Sequence, residues 1–210
     1  MKLTWYGHAC FLAETEEGRI VFDPYAPGSV PGCRLPALTA DAVLCSHGHK
    51  DHNYSDGVTL SGKTPAFSVT FIDCCHDDKK GLLRGKNRIA ILDAEGLRLV
   101  HLGDLGHRLS EKQLAALGKV DVLLLPVGGF YTIDASVAAE LAGKVGARVV
   151  IPMHYRGEGF GYDVIGPVDE FAERSENVRF FDTNVLEITD DTPPMTAILK
   201  CPVRSCGNEA

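Results

Sequence analysis

Four residues able to ligate a metal stand within six positions, His47-Gly48-His49-Lys50-Asp51-His52. They follow Asp41-Ala42-Val43-Leu44-Cys45-Ser46, an apolar run that reads as a buried strand. In extended backbone, residues two apart point to the same side, so His47 and His49 can converge on one cation. Where the chain then turns, Asp51 and His52 can be offered to a second. Imidazole suits zinc, iron and similar cations, and a carboxylate adds the charge a hydrolytic centre needs. Three further candidates close predicted strands: His76 in Cys74-Cys75-His76-Asp77-Asp78, Asp104 in His101-Leu102-Gly103-Asp104, and His154 after Val150-Ile151-Pro152-Met153. One metal would take His47, His49 and His76, the other Asp51, His52 and His154, with Asp104 bridging. Two divalent cations about 3.5–4 Å apart activate a shared water and hold an electrophile. Zinc is the default from this ligand chemistry, and manganese or iron is compatible.

The elements that must position these residues begin with short strands at Leu3–Tyr6, Cys10–Ala13 and Arg19–Phe22, with Glu16-Glu17-Gly18 as a turn. A Pro- and Gly-rich irregular stretch runs from Asp23 to about Leu38. Strands are expected again at Ala42–Ser46, Phe67–Ile72, Arg88–Leu92 and Leu97–Leu102. Ser110 reads as the cap of a short helix ending at Leu117, and Asp134 as the cap of an Ala-rich helix closed by Gly146. Val120–Leu125 and Arg148–Ile151 are buried strands, Pro167–Arg174 a helix, and Val178–Phe181, Val185–Ile188 and Thr196–Leu199 closing strands. A strand-rich start followed by alternating strands and helices favours two packed sheets flanked by helices.

With its ligand motifs in that order, the chain resembles the metallo-β-lactamase-fold hydrolase superfamily. The carriers are Ser46–His52, His76, His101-Leu102-Gly103-Asp104 and Pro152-Met153-His154-Tyr155. Gly7-His8-Ala9, Asp23-Pro24-Tyr25 and Pro126-Val127-Gly128-Gly129 are similar to its compact branch, related to the ascorbate-6-phosphate lactonase group. The resemblance covers roughly residues 1–188. It implies an α/β fold, an αβ/βα four-layer sandwich of two mixed β-sheets flanked by helices, with the metals at one edge between the sheets. His8 and His107 stand beside His76 as alternatives for the third histidine of the first site. Asp51 is a candidate for orienting the nucleophile and His107 for proton transfer. His101 is a candidate support for the metal shell, and Gly128-Gly129 for an oxyanion-binding turn. Arg84, Lys86 and Arg156 are candidate clamps for an anionic substrate.

The 210 residues, 45% hydrophobic, suffice for one domain spanning residues 1–210, with 189–210 a closing strand and tail. The formal charge of -7 argues against a nucleic-acid partner, and no run of ~18 apolar residues suggests a membrane span. Seven cysteines without Cys-x-x-Cys spacing fit reduced thiols in a cytoplasmic protein, although Cys201 and Cys206 could pair. The leading expectation is a binuclear metal-dependent hydrolase. It would use metal-bound hydroxide on a small anionic ester, lactone or phosphodiester. Sulfur or redox chemistry on the same scaffold, with Cys74 and Cys75 nearby, and a non-catalytic metal-containing binding protein are the alternatives.

Overall fold

The computed structural model describes residues 1–202. Cys206 and the end of the tail lie outside them. The strands, in order, begin with β1 (Lys2–Trp5), β2 (Phe11–Thr15), β3 (Gly18–Phe22), β4 (Leu38–Ala40), β5 (Ala42–Leu44) and β6 (Val58–Leu60). Then come β7 (Ser68–Cys75), β8 (Lys86–Ala94), β9 (Leu97–His101), helix α1 (Glu111–Leu117), β10 (Val122–Pro126), α2 (Ala135–Val145) and β11 (Val149–Met153). The chain closes with α3 (Asp169–Ala172), β12 (Val178–Phe180), β13 (Val185–Glu187) and β14 (Met195–Ile198).

Two mixed sheets result, in the orders β13-β1-β2-β3-β5 and β12-β14-β11-β10-β9-β8-β7, with β4-β6 as a separate pair. Alternation along the strands of the first sheet builds its two sides. Phe11, Ala13, Ile20 and Phe22 join the main core with Leu92, Leu99, Leu123 and Ile151 of the second sheet. Cys10, Leu12 and Val21 face the other way onto Tyr25, Val30, Leu38, Ala40 and Val58. That outer layer is built from the irregular Pro/Gly-rich stretch and the β4-β6 pair, so the first sheet is covered largely by loop there. The helices group together, α2 against β10, α1 and α3.

Local chemistry explains the boundaries. Ser110 and Gln113 form a reciprocal capping box on α1. Asp134 caps α2 through the Val137 amide, and Gly146 ends it in the left-handed region. The expected Pro167–Arg174 helix shortens to the single turn α3, which buries Phe171. In the second sheet β9, β10 and β11 run parallel, so their C-terminal ends, at His101, Pro126 and Met153, lie along one edge. Ligand-bearing loops leave from that edge, as ligand sites in open α/β sheets do.

The Cys201 thiol lies 4.0 Å from that of Cys33, and all six described cysteines are free. No helix among the described residues is long and apolar enough to cross a membrane.

Candidate metal centre

His47, His49 and His76 come together with ligand atoms all within 4.8 Å, and His8, Asp51, His52 and His154 form a second such group. Between them sits Asp104, 2% exposed. Its Oδ2 lies 3.1 Å from His76 Nε2 and 3.2 Å from His154 Nε2, while its Oδ1 lies 3.2 Å from His52 Nε2. His47 Nε2 is 3.9 Å from the same carboxylate.

The turn after β5 is held by Asp23. Its carboxylate accepts the Ser46 amide at 2.7 Å, the Ser46 hydroxyl at 2.6 Å and His52 Nδ1–H at 2.8 Å. Having spent its proton on Asp23, Ser46 Oγ accepts from His47 Nδ1–H at 2.9 Å. Both histidines are thereby fixed with Nε2 turned inward. The same logic fixes His76, whose Nδ1–H donates to the Tyr131 carbonyl at 3.1 Å. Hydrogen bonds of this kind set which ring nitrogen is free to ligate.

Two glycines let the backbones close in. At Gly103 (φ +54°) a Cβ would lie 2.4 Å from Asn87 Oδ1 and 2.5 Å from Ser46 Cβ. Asn87 accepts the Asp104 amide at 3.1 Å and donates to Leu102 O at 2.8 Å, which sets the Asp104 loop. At Gly128 a Cβ would lie 2.2 Å from the His154 carbonyl oxygen, so close backbone approach accounts for this glycine. His8, Asp23 and His154 all hold positive φ, strained for residues with a Cβ. The His154 amide donates to His8 O at 3.1 Å, tying the end of β11 to the β1–β2 turn.

These residues fit divalent cations. Buried ring nitrogens of His8, His52 and His154, and Asp104 Oδ1, have no hydrogen-bond partner among the described residues. His52 Nε2 and Asp104 Oδ1 approach at 3.2 Å without hydrogen-bond alignment. His47 Nε2 and His49 Nδ1 are 3.0 Å apart. Two nitrogens sharing a tetrahedral zinc would be about 3.3 Å apart. The electrostatics agree. Burial opposes charge on His52, yet Asp104 and Asp23 push its pKa well above the usual histidine value. Burial is outweighed at Asp104 too, where His154 and His52 hold the carboxyl well below its usual range. Burial lowers His8 to about 3 and His47 to about 4, leaving neutral imidazoles suited to ligation.

Of the residues named from sequence, His47, His49, Asp51, His52, His76, Asp104 and His154 are brought together. His8 joins them, on the side of Asp51, His52 and His154 and not as a third histidine of the first group. His107 stands apart. Its Nε2 accepts the Cys75 amide at 3.1 Å and its Nδ1–H donates to Arg108 O at 2.8 Å. Both nitrogens are committed, so the expected proton-transfer role has no free atom. His101 works indirectly: Nε2–H donates to Ala9 O at 2.9 Å and Nδ1 accepts the Gly103 amide at 3.0 Å, beside Asp104. The supporting roles of Asp23, Ser46, Asn87, Tyr131 and Tyr162 were not read from sequence. Tyr162 OH lies 3.2 Å from Asp51 Oδ2.

A beta-lactamase superfamily domain model matches residues 2–154. The chain belongs to this superfamily. Among its relatives in the superfamily, a protein of Carboxydothermus hydrogenoformans named metal-dependent hydrolase is 30% identical over 192 residues, covering 74% of this chain and 84% of that protein. One of the same name from Methanoregula boonei is 33% identical over 189 residues, covering 74% and 82%. A crystal structure from Thermotoga maritima, described as a candidate Zn-dependent hydrolase of the metallo-beta-lactamase superfamily, superposes with a TM-score of 0.75. It is 33% identical and covers 94% of this chain and 97% of its own. The metallo hydrolase Igni18 of Ignicoccus hospitalis shares the fold at a TM-score of 0.63 and 21% identity, with 97% and 96% covered. The superfamily fold is thus the α/β sandwich of two mixed sheets that the motifs implied, with its helices gathered against the second sheet and the first covered by loop and the β4-β6 pair.

Proposed function

We propose that this metal-dependent hydrolase carries a binuclear centre, zinc by ligand chemistry, and cleaves a small anionic ester, lactone or phosphodiester. The observation that carries the reading is Asp104, whose two oxygens reach histidines of both ligand groups. His47, His49 and His76 would hold one cation, and Asp51, His52, His154 and His8 would hold the other. When bound, such a pair supplies Lewis acidity and lowers the pKa of a shared water.

The chain's own contribution is orientation. Asp23 and Ser46 hold the His47 and His52 rings before any ligand arrives, so little reorganisation is needed. Asp51 faces Tyr162 and His8, and burial is overcome there by His8 and His52, which keep the carboxyl ionised. An ionised Asp51 at the open side of the second group is placed to accept a hydrogen bond from an attacking nucleophile.

The acidic balance of the chain supports a small substrate over a nucleic acid. Sulfur chemistry finds no support at Cys74. Its thiol is buried, accepts from Asn87 Nδ2 at 3.1 Å, and burial pushes it up to about 12. Elemental analysis of reconstituted protein should find two cations per chain. A panel of lactones, phosphodiesters and carboxylate-bearing esters should show cleavage that chelation abolishes. One metal at saturation would sink the binuclear reading, and cleavage of nucleic acid alone would sink the substrate class.

A further inference from the structure

Beside the His47–His49–His76 group lies a cavity of about 580 Å³ whose lining includes Arg84, His107, Arg108, Phe130, Tyr131 and Asp134. Its size is that of a small-molecule site. Tyr131 joins it to the candidate metal centre, since its carbonyl accepts from His76 Nδ1–H and the same residue lines the cavity. The half-buried Arg84 spreads its guanidinium 5.5 Å from the Tyr131 ring centroid and 6.0 Å from that of Phe130. Among the described residues its side chain joins no ion pair and no hydrogen bond.

Every other charge at the cavity is occupied. Arg108 pairs with Glu140, Asp78 with Lys79, and Asp134 caps α2. Asp77 accepts four backbone amides, those of Lys79, Gly81, Leu83 and Arg84. Those bonds tie down the loop that carries Arg84. The other cations considered from sequence do not compete: Lys86 is exposed on β8, and Arg156 is exposed with its Nε spent on Ile165 O at 2.8 Å. A planar fork of donors, held within cation–π reach of two aromatic rings and lacking an acceptor, is a preorganised site for a carboxylate or phosphate. Exposed Phe130, at 61%, and Leu83, at 66%, supply apolar surface nearby.

We propose that this cavity is the substrate's recognition subsite and that Arg84 grips the anion of an aryl or alkyl carboxylate or phosphate. The apolar body of that molecule lies against Phe130 and Tyr131, and its scissile group faces His76. The inference rests on the hydrolase reading for the word substrate, but not for the binding itself.

The test uses the full chain, metal-loaded and chelated, with benzoate and phenylphosphonate as probes and benzyl alcohol as neutral control. Ligand-observed NMR should detect both anions with and without metal. Arg84→Ala should weaken them about ten- to hundredfold, the loss of a charge-assisted hydrogen-bonded pair. Benzyl alcohol should change less than about twofold, and Arg84→Lys should recover only part, since an ammonium cannot make the flat fork. Equal anion binding by Arg84→Ala, or binding that vanishes with the metal, overturns the proposal. The enzymatic arm compares a carboxylate-bearing ester with its neutral counterpart, and Arg84→Ala should raise KM for the first while sparing kcat. Hydrolysis with KM indifferent to Arg84 sinks this subsite alone. Arg84-dependent binding without hydrolysis of any panel member sinks the substrate class proposed above and supports the anion site.

Discussion

Asp23 has more influence on the centre than its distance from the ligand motif suggests. It is buried, ionised, and bonded at once to the Ser46 amide, the Ser46 hydroxyl and His52. Asp23→Asn keeps the shape but removes the charge that fixes His52 Nδ1–H. Metal affinity should fall about ten- to hundredfold, read by competition with a fluorescent chelator, and unchanged affinity would show that Ser46 alone suffices. His8 gives a second test. Its ring lies 4.0 Å from that of His154 and 3.3 Å from Asp51 Oδ2. If it completes the second group, His8→Ala should lose about one metal equivalent and His76→Ala the other. Retention of both metals in His8→Ala would make that ring a neighbour and not a ligand. The contiguous candidate ligands within His47–His52 were legible as a group because spacing along one strand end suffices to bring them together. His8 was not assignable, since its place depends on a positive φ and a contact with the end of β11, 146 positions away in His154.

At the scale of elements, strands with long apolar or alternating runs were legible, and so were α1 and α2 through Ser110, Asp134 and Gly146. The pair β4-β6 was not. Its strands have three residues each, and their pairing of Leu38 with Val58 is non-local, so no local period announces it. The seven-residue loop 79–85 was also opaque, because a side chain, Asp77, organises it. Burial would raise the Asp77 pKa, but the four amides prevail and hold it at about 2, below the ordinary value of about 3.9. The folded value is depressed, so the loop's stabilisation is complete above the unfolded pKa and fades as pH falls through about 2. Asp77→Ala should therefore speed amide exchange at Gly81, Leu83 and Arg84 about tenfold or more at neutral pH, while exchange in β10 stays slow. Equal acceleration in β10 would mean the substitution had destabilised the whole fold.

For the whole molecule, the centre lies where the two sheets meet, with His8 and Asp23 supplied by turns of the first and Asp104 and His154 by the edge of the second. Without cations, the buried histidines and carboxylates must balance charge among themselves, as the raised His52 and lowered Asp104 values show. Cations that bind only the folded chain stabilise it by linkage, about 4 kcal/mol per site when free metal exceeds Kd a thousandfold. For a chain of 210 residues that corresponds to roughly 8–16 °C in Tm for each site. Chelation should lower Tm by at least that much, and readdition of zinc should restore it. Asp104→Asn separates the metal from the fold, because the comparison is the zinc-induced increment within each protein and not the absolute Tm. If Asp104 serves both positions, the variant's increment should collapse for both together, in one weak transition. A variant that keeps half the wild-type increment would place Asp104 on a single cation, with the two ligand groups acting independently.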